Sequence, residues 1–406
     1  MIAGDDNVEG FGYLKQLDSL LNDGKFQNSE EAQKYAHLRD PQTKQWAERN
    51  DVFVVYEHER HKQLQGTLNM RDYGGIFNET FGPEVEFGHV MGNAFDEPVI
   101  IVKAGWTGKS LGHDFLSPSA NGFTGFEWVR MVDAVKHAIE NADKIVGDRA
   151  YRNGRAELAG VVWWHGYSDL VHSHFRDSYQ TNLHHLVRDL RRAFHIPYLP
   201  IVVGELGGSG INANDWEMEI RDEQKAVCTM TGNRTTVFVE TAKFVHKEQP
   251  RLENNVRYYG RGDTMIEVAN AFAVELLDII YRHDEFGETD TEMEAEFETD
   301  EEDEEFSAVM VMIFVIGLCV LGAAFVQRHR SGYKESLSEI MKDYLWRLVR
   351  LFRHHDDVRL QKQNQHKEKD AEIEFVGFDS LPSSDSPLYE LDEISSNEGD
   401  GDHTFA

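Results

Sequence analysis

The chain of 406 residues carries 72 acidic and 41 basic side chains, and the net charge of -31 would repel a phosphate backbone, which excludes general nucleic-acid binding. A hydrophobic fraction of 40% is enough to build a full core, and the length leaves room for non-globular segments. The two cysteines are Cys228 and Cys319, and Cys319 lies inside a long apolar run. The globular part therefore cannot close a disulfide on itself.

Apolar runs alternate with amphipathic stretches over residues 1–283. The apolar runs lie at 51–56, 98–102, 158–164 and 200–204, and such runs are typical of strands buried on both faces. Residues 126–142 and 178–194 carry apolar side chains at helical spacing, and a further helix is predicted at 266–281. We therefore predict an α/β domain with a parallel sheet covered by helices. Its opening strand is short, and we expect that part of this strand is missing from the sequence.

The composition changes abruptly after residue 283. Residues 284–306 are mostly Asp and Glu and predict a disordered acidic stalk. Residues 308–326 carry no charge, which matches the ~20 residues that a helix needs to cross ~30 Å of hydrocarbon. We predict one transmembrane helix within residues 307–327, with a buried core helix as the alternative.

Basic residues follow the apolar run and predict its orientation. Arg328 and Arg330 place the C-terminal side in the cytosol and the α/β domain in the lumenal or extracellular space. The glycosylation motifs at Asn78 and Asn233 fall in the domain that this orientation places outside. No signal peptide follows Met1, so we expect either that the start of the sequence is incomplete or that the span acts as a reverse anchor.

The C-terminal side of the predicted span has two parts. Residues 328–356 read as a basic amphipathic helix, which fits either the inner membrane surface or a protein partner. Residues 357–406 are rich in Ser, Asp and Glu and predict a disordered acidic tail that could bind a cytosolic partner.

Polar, glycine-containing runs follow the predicted strands. The opening run contains Gly4-Asp5-Asp6-Asn7, a turn that would expose one side chain at the carboxyl edge of a parallel sheet. Further runs lie at 81–92, 104–115, 161–169, 203–207 and 255–265.

Taken in this order, these runs resemble the sialate O-acetylesterase (SASA) family of carbohydrate esterases, a branch of the SGNH hydrolases. The resemblance extends over residues 1–282 and lies in the series of runs. It implies a flavodoxin-like three-layer α/β/α fold and a carbohydrate ligand carrying acetyl esters. From the residues themselves we expect no cofactor and no metal. The resemblance also implies a nucleophilic serine in the opening turn and a catalytic histidine in the last run.

The sequence departs from the family at both of these positions. Asp6 occupies the position of the serine, and a carboxylate that attacked an ester would form a mixed anhydride, which the family does not use. Arg257 occupies the position of the histidine, and an arginine that stays protonated cannot act as a general base. The resemblance alone therefore leaves the catalytic residues unknown.

The other site positions are also altered. Thr107 and Gly108 stand where the family has a glycine pair that stabilises the oxyanion, and His165 stands where it has a glutamine. The main-chain N–H of Gly108, or a ring N–H of His165 in the right tautomer, could still donate a hydrogen bond. Asp169 and Glu205 match polar family positions, or else tie loops to main-chain N–H groups.

Aromatic residues near these runs are the candidates for sugar binding. We expect these aromatic residues to offer a surface on which a sugar ring can stack, with the polar Asp169 beside them: Trp106, Trp163, Trp164 and Tyr167. Ser110 and Ser168 are conceivable nucleophiles, and His172-Ser-His174 is a weak metal-binding pattern without a matching third ligand. Two hypotheses remain: a catalytically degenerate esterase relative that binds glycan or acts as a scaffold, and an active esterase with rearranged catalytic residues.

Overall fold

The computed structural model describes residues 1–22, 33–58, 62–75, 79–120, 122–151, 156–230, 235–245 and 257–286, all of which belong to one compact unit, Met1–Glu298. These residues form nine strands: β1 (Ile2–Gly4), β2 (Gly12–Tyr13), β3 (Arg49–His58), β4 (Lys62–Leu68), β5 (Thr80–Phe81), β6 (Val99–Gly105), β7 (Val161–Trp164), β8 (Ile201–Gly204) and β9 (Thr236–Val239).

The described α-helices are α1 (Asp6–Glu9), α2 (Leu14–Asn22), α3 (Glu84–Ala94), α4 (Phe126–Glu140), α5 (Ala142–Val146), α6 (Tyr167–Leu170), α7 (Ser173–Arg176), α8 (Tyr179–Phe194), α9 (Asp215–Met230) and α10 (Gly262–Phe286). Short 3-10 helices lie at Ala36–Leu38, Arg149–Tyr151, Gly210–Asn212, Ala242–Phe244 and Arg257–Gly260.

Seven strands form the central sheet in the order β4-β3-β6-β1-β7-β8-β9. All neighbouring pairs are parallel except β3 and β4, which form an antiparallel hairpin at one edge. Without that hairpin, the five strands from β6 to β9 run in the chain order 2-1-3-4-5, which is the order of flavodoxin-like folds. The predicted α/β fold with a mostly parallel sheet is confirmed.

Helices cover both faces of the sheet, because the strand side chains alternate between two hydrophobic cores. Ile2 belongs to the core that includes α3 and α10, whereas Ala3 belongs to the core that includes α4, α8 and α9. Burial on both faces explains why the strands read as continuous apolar runs. Strand β4 was missed in the sequence because, as an edge strand, it carries the polar sequence Lys-Gln-Leu-Gln-Gly-Thr-Leu.

The middle of the sheet needs a glycine where β1 ends. Gly4 has φ +156°, and a Cβ at this residue would lie 2.1 Å from the main-chain oxygen of Trp164. Since β7 comes so close, only glycine fits the position from which the opening turn leaves β1.

Several predicted features lie outside the described residues: the stalk from residue 287 onward, the span at 308–326, the helix at 328–356, the tail at 357–406, and the motifs at Asn78 and Asn233. Helix α10 continues to Phe286, three residues beyond the predicted end of the domain. Among the helices of the described ranges, none has the length and apolarity needed to cross a bilayer.

Candidate functional site

The site positions converge where three neighbouring strands end. Gly4 at the end of β1 pairs with Gly105 of β6 on one side and with Trp164 of β7 on the other. Asp6 begins α1 two residues after Gly4, so it lies between the loop after β6 and the loop after β7. The carboxyl edge of a parallel sheet is where open α/β folds bind their ligands.

Asp5, next to Asp6, ties the opening turn to the loop after β7. Its Oδ2 accepts hydrogen bonds from the main-chain nitrogens of Tyr167 at 3.2 Å and Ser168 at 3.4 Å. Asp5 is 1% exposed. The sequence interpretation missed this role, although Asp5 stands in the same run as Asp6.

Glu9 ties the other side of the opening turn to the loop after β6. Its Oε2 accepts from the main-chain nitrogen of Thr107 at 2.8 Å, and the Thr107 hydroxyl also donates to it. The N–H of Thr107 is therefore already used, whereas Gly108 is exposed and has φ +77°. Of the two residues that the resemblance assigns to an oxyanion-stabilising glycine pair, Gly108 is the one whose amide can still face a ligand.

His165 is fully buried and stacks on two neighbouring rings, with centroid distances of 4.9 Å to Trp163 and 6.0 Å to Tyr179. Its Nε2 lies 2.9 Å from the main-chain oxygen of Lys109, which can only accept, so Nε2 carries the hydrogen. Burial lowers the pKa of His165 and so favours the neutral ring, whereas the nearby Asp169 acts in the opposite direction. Nδ1 is then an acceptor, and His165 has no proton left to donate to an oxyanion.

Asp169 and Glu205 hold loops in the same way as Asp5. The carboxylate of Asp169 accepts from the main-chain nitrogens of residues 111 and 112 at 2.7 and 2.8 Å, and burial raises its pKa. Oε2 of Glu205 accepts from the nitrogens of Thr241 and Ala242 at 2.7 and 2.8 Å. Both carboxylates therefore connect neighbouring loops at the edge of the sheet.

A buried ion pair lies beneath the opening turn. Nζ of Lys103 is 2.8 Å from Oε2 of Glu84 and 3.0 Å from the main-chain oxygen of Glu9, and it also donates to the oxygen of Tyr73. Burial lowers the pKa of Lys103, against the attraction of Glu84. The sequence signal for this feature was a lysine inside an otherwise apolar strand.

Arg257, which the resemblance assigns to the position of the catalytic histidine, lies on the 3-10 helix Arg257–Gly260, where the structure describes only its main chain. The hydroxyl of the next residue, Tyr258, accepts from the nitrogen of Gly207 at 3.1 Å and lies 2.6 Å from Oγ1 of Thr241. These bonds fasten the segment to the loop that leaves β8.

The aromatic candidates lie mostly in the core. Trp106, Trp163 and Trp164 are each 0% exposed, as is Asp169, whereas Tyr167 is half-buried. Trp106 donates from Nε1 to the main-chain oxygen of residue 57 at 2.7 Å, and Trp164 donates to that of residue 205 at 3.3 Å. In this structure, Tyr167 is the candidate in this group with a side chain that solvent can reach.

The alternative nucleophiles differ in their surroundings. Oγ of Ser110 donates to Oδ2 of Asp114 at 3.0 Å, and Ser168 is 6% exposed. Oγ of Ser119, in the loop between β6 and α4, lies 2.8 Å from Nδ1 of His185 on α8. Within the described ranges, no group of three or more His, Cys, Asp or Glu residues is placed to hold a metal ion.

Comparisons with known proteins point in one direction. A family model described as carbohydrate esterase, sialic acid-specific acetylesterase, matches residues 1–255. A curated protein of Arabidopsis thaliana, named as a probable carbohydrate esterase, is 28% identical over 153 residues, which cover 37% of this chain and 50% of that protein. The chain thus spans about half the length of this curated relative.

Two solved structures are also similar. One, an Arabidopsis thaliana protein, is 16% identical, with coverage of 59% of this chain and 90% of that chain and a TM-score of 0.40. The other, a carbohydrate acetylesterase from Xanthomonas citri, is 13% identical, with coverage of 69% of this chain and 55% of that chain and a TM-score of 0.40.

Proposed function

We propose a function for this chain, which belongs to the sialic acid-specific acetylesterase family of carbohydrate esterases. Its α/β domain binds a carbohydrate at the carboxyl edge of the sheet without hydrolysing acetyl esters. One observation carries the proposal: α1 begins at Asp6, two residues after β1 ends, and the resemblance to the family assigns the nucleophilic serine to this position. A serine hydroxyl becomes a nucleophile when a base takes its proton, and Asp6 has no hydroxyl to activate.

The surroundings of Asp6 support the loss of hydrolysis. His165 donates from Nε2 to the oxygen of Lys109, and the N–H of Thr107 is bound to Glu9. Gly108 is left as a donor to a developing oxyanion, and removing one such donor already costs about 10²–10³ in kcat in a hydrolase. The main-chain framework of the site is nevertheless held by the carboxylates of Asp5 and Asp169.

The test is a deacetylation assay with p-nitrophenyl acetate and acetylated sugars, run on the full-length chain beside Asp6→Ala and the double variant Asp6→Ser/Arg257→His. We expect the wild type to match Asp6→Ala, since neither has a nucleophilic hydroxyl at the end of β1. Glycan binding by the same wild-type preparation should be measurable. Turnover by the wild type that Asp6→Ala abolishes would contradict the proposal.

The second candidate is an active esterase with rearranged catalytic residues, and the pair Ser119 and His185 is the observation that favours it. Arg188 Nη2 lies 3.4 Å from Nδ1 of His185 and can only donate, so Nδ1 is an acceptor for the Ser119 hydroxyl. Burial lowers the pKa of His185, which keeps the ring neutral and able to take a proton. Turnover by the wild type that Ser119→Ala removes and Asp6→Ala leaves intact would favour this candidate.

We also propose that residues 308–326 anchor the protein in a membrane, with the α/β domain on the lumenal or extracellular side and the tail in the cytosol, available to a partner. The uncharged run and the following Arg328 and Arg330 support the anchor and its orientation. Expression of the full chain with microsomes tests both. We expect resistance to alkaline extraction and glycan addition at Asn78 and Asn233; release by alkali, or the absence of glycan from both asparagines, would contradict the proposal.

A further inference from the structure

An exposed tryptophan lies beside the candidate site. Trp216 is the second residue of α9 and is 60% exposed. Helix α9 follows the loop that leaves β8, which places Trp216 at the carboxyl edge of the sheet. One helical turn later on the same face, Ile220 lies against the segment after β7, because a Cβ on Gly166 would be 3.2 Å from Cγ2 of Ile220. Trp216 therefore flanks the segment whose main-chain nitrogens hold Asp5.

The indole of Trp216 is held in place on one side. The guanidinium carbon of Arg176 lies 4.6 Å from the ring centroid, within the range of a cation–π contact. Arg176 is itself fixed, since its Nη1 donates to the oxygen of Leu170 at 2.9 Å and its Nε lies 3.6 Å from Oε2 of Glu219. The ring is thus a positioned surface with one supported face and a large exposed area.

Exposed polar residues precede Trp216 in the sequence. Asn212, Asn214 and Asp215 are all exposed. Oδ1 of Asn214 accepts from the main-chain nitrogen of Glu217 at 3.0 Å, which orients the amide and leaves its NH2 group to solvent. An aromatic ring bordered by amide and carboxylate groups suits a ligand with an apolar face and a hydroxylated edge.

Carboxylates outnumber cations along α9, although the Arg176 guanidinium covers one face of the Trp216 ring. Helix α9 has the sequence DWEMEIRDEQKAVCTM, with five carboxylates against two cations. Burial raises the pKa of Glu223 to about 7, and repulsion by Glu219 and Asp177 adds to this shift. A ligand that carries a carboxylate would be disfavoured by the net negative charge of α9.

We infer that Trp216 is a stacking platform for a neutral pyranose, an uncharged sugar unit of the bound glycan. One face of a pyranose is lined by C–H bonds and gains from leaving water against the indole, while its hydroxyls can bond to Asn214 and Asp215. This inference rests on the proposed function in one respect, that the domain binds carbohydrate. It adds the class of sugar and the residue that selects it.

The experiment measures binding of simple glycosides to the full-length chain by saturation-transfer difference NMR and titration. The neutral probes are methyl β-galactoside and methyl β-N-acetylglucosaminide, and the anionic probe is methyl α-sialoside. Variants are Trp216→Ala and, as a matched control, Phe126→Ala, which removes an aromatic ring that is 67% exposed on α4. We expect Trp216→Ala to weaken binding of the neutral glycosides roughly tenfold or more, equivalent to about 1.4 kcal/mol or more, and Phe126→Ala to leave it unchanged.

Several results would overturn the inference: no binding of either neutral glycoside, equal binding by the wild type and Trp216→Ala, or tighter binding of the sialoside. Trp216→Phe keeps an aromatic ring and should retain part of the affinity, which protects the test against a folding defect in the alanine variant. None of the probes carries an acetyl ester on oxygen, so hydrolysis cannot change the result. Esterase turnover by the wild type would therefore contradict the proposed loss of hydrolysis and leave the Trp216 platform standing.

Discussion

We expect Lys103→Met to lower the free energy of unfolding by about 3–5 kcal/mol, the usual effect of removing one partner of a buried ion pair. Lys103 and Glu84 are each 1% exposed. Methionine keeps most of the apolar stem of the lysine, so the loss comes from the charge and its hydrogen bonds. Three acceptors lose their donor: Oε2 of Glu84 and the main-chain oxygens of Glu9 and Tyr73.

The magnitude follows from what each acceptor retains. Glu84 keeps the hydrogen bond from the nitrogen of Gly82 to its Oε1, at 3.1 Å, but its charge stays buried without a cation. A buried acceptor left without a donor costs about 1–3 kcal/mol. Because small movements can partly relieve three orphaned acceptors, we expect the total to stay within the range for broken buried pairs rather than to reach a simple sum.

The assay is urea unfolding followed by tryptophan fluorescence. Lys103→Met/Glu84→Gln should be more stable than Lys103→Met alone, because the amide removes the uncompensated charge and can still accept from Gly82. The matched control is Arg282→Met, which breaks the exposed pair with Asp278 at 2.6 Å and should cost at most about 1 kcal/mol. Equal losses from Lys103→Met and Arg282→Met would refute the reasoning.

Three further predictions concern stability. Burial lowers the pKa of His89 from 6.5 to about 4, so the stability that its neutral ring contributes is complete above pH 6.5 and is lost as the pH falls through 4. We expect His89→Gln to remove roughly 3 kcal/mol of this pH dependence of the free energy of unfolding. An unchanged slope would contradict the prediction. The pKa of Glu223 is raised to about 7 by burial, then by Glu219 and Asp177, so stability should fall as the pH rises from 4.5 through 7; Glu223→Gln should raise the Tm at pH 8 and leave it unchanged at pH 4. Gly4→Ala places a Cβ 2.1 Å from the oxygen of Trp164 and should cost about 4 kcal/mol or more in urea unfolding, whereas Gly108→Ala, whose Cβ would meet nothing within 4 Å, should cost about 1–2 kcal/mol.

The parallel strands were predictable because burial on both faces leaves a continuous apolar run. Strand β6 shows the limit of that rule, since its apolar run is interrupted by Lys103, whose charge is compensated by Glu84 at the start of the preceding helix α3. A sequence pattern does not reveal such a partner, because the two residues meet only after the chain has folded. The edge strand β4 was not predicted for the opposite reason, because its polar sequence is typical of a loop.

The site was predictable in its position and less so in its chemistry. The order of the glycine-containing runs indicated that Asp6, Thr107, Gly108 and His165 share one edge of the sheet, and the strand pairing of Gly4 with Gly105 and Trp164 places their loops together. The prediction of an aromatic surface overlooked the prediction that strand β7 is buried on both faces. Trp163 and Trp164 end the same apolar run that indicated burial on both faces, so both rings pack into the core.

The loops at this edge are fastened by a repeated arrangement. Carboxylates of Asp5, Asp169 and Glu205 each accept from two consecutive main-chain nitrogens of a neighbouring loop, and Glu9 accepts twice from Thr107. Such a rim is already ordered before any ligand arrives. A sugar that binds there forfeits little conformational entropy on the protein side, so its affinity depends mainly on the contacts it gains and on the water it displaces.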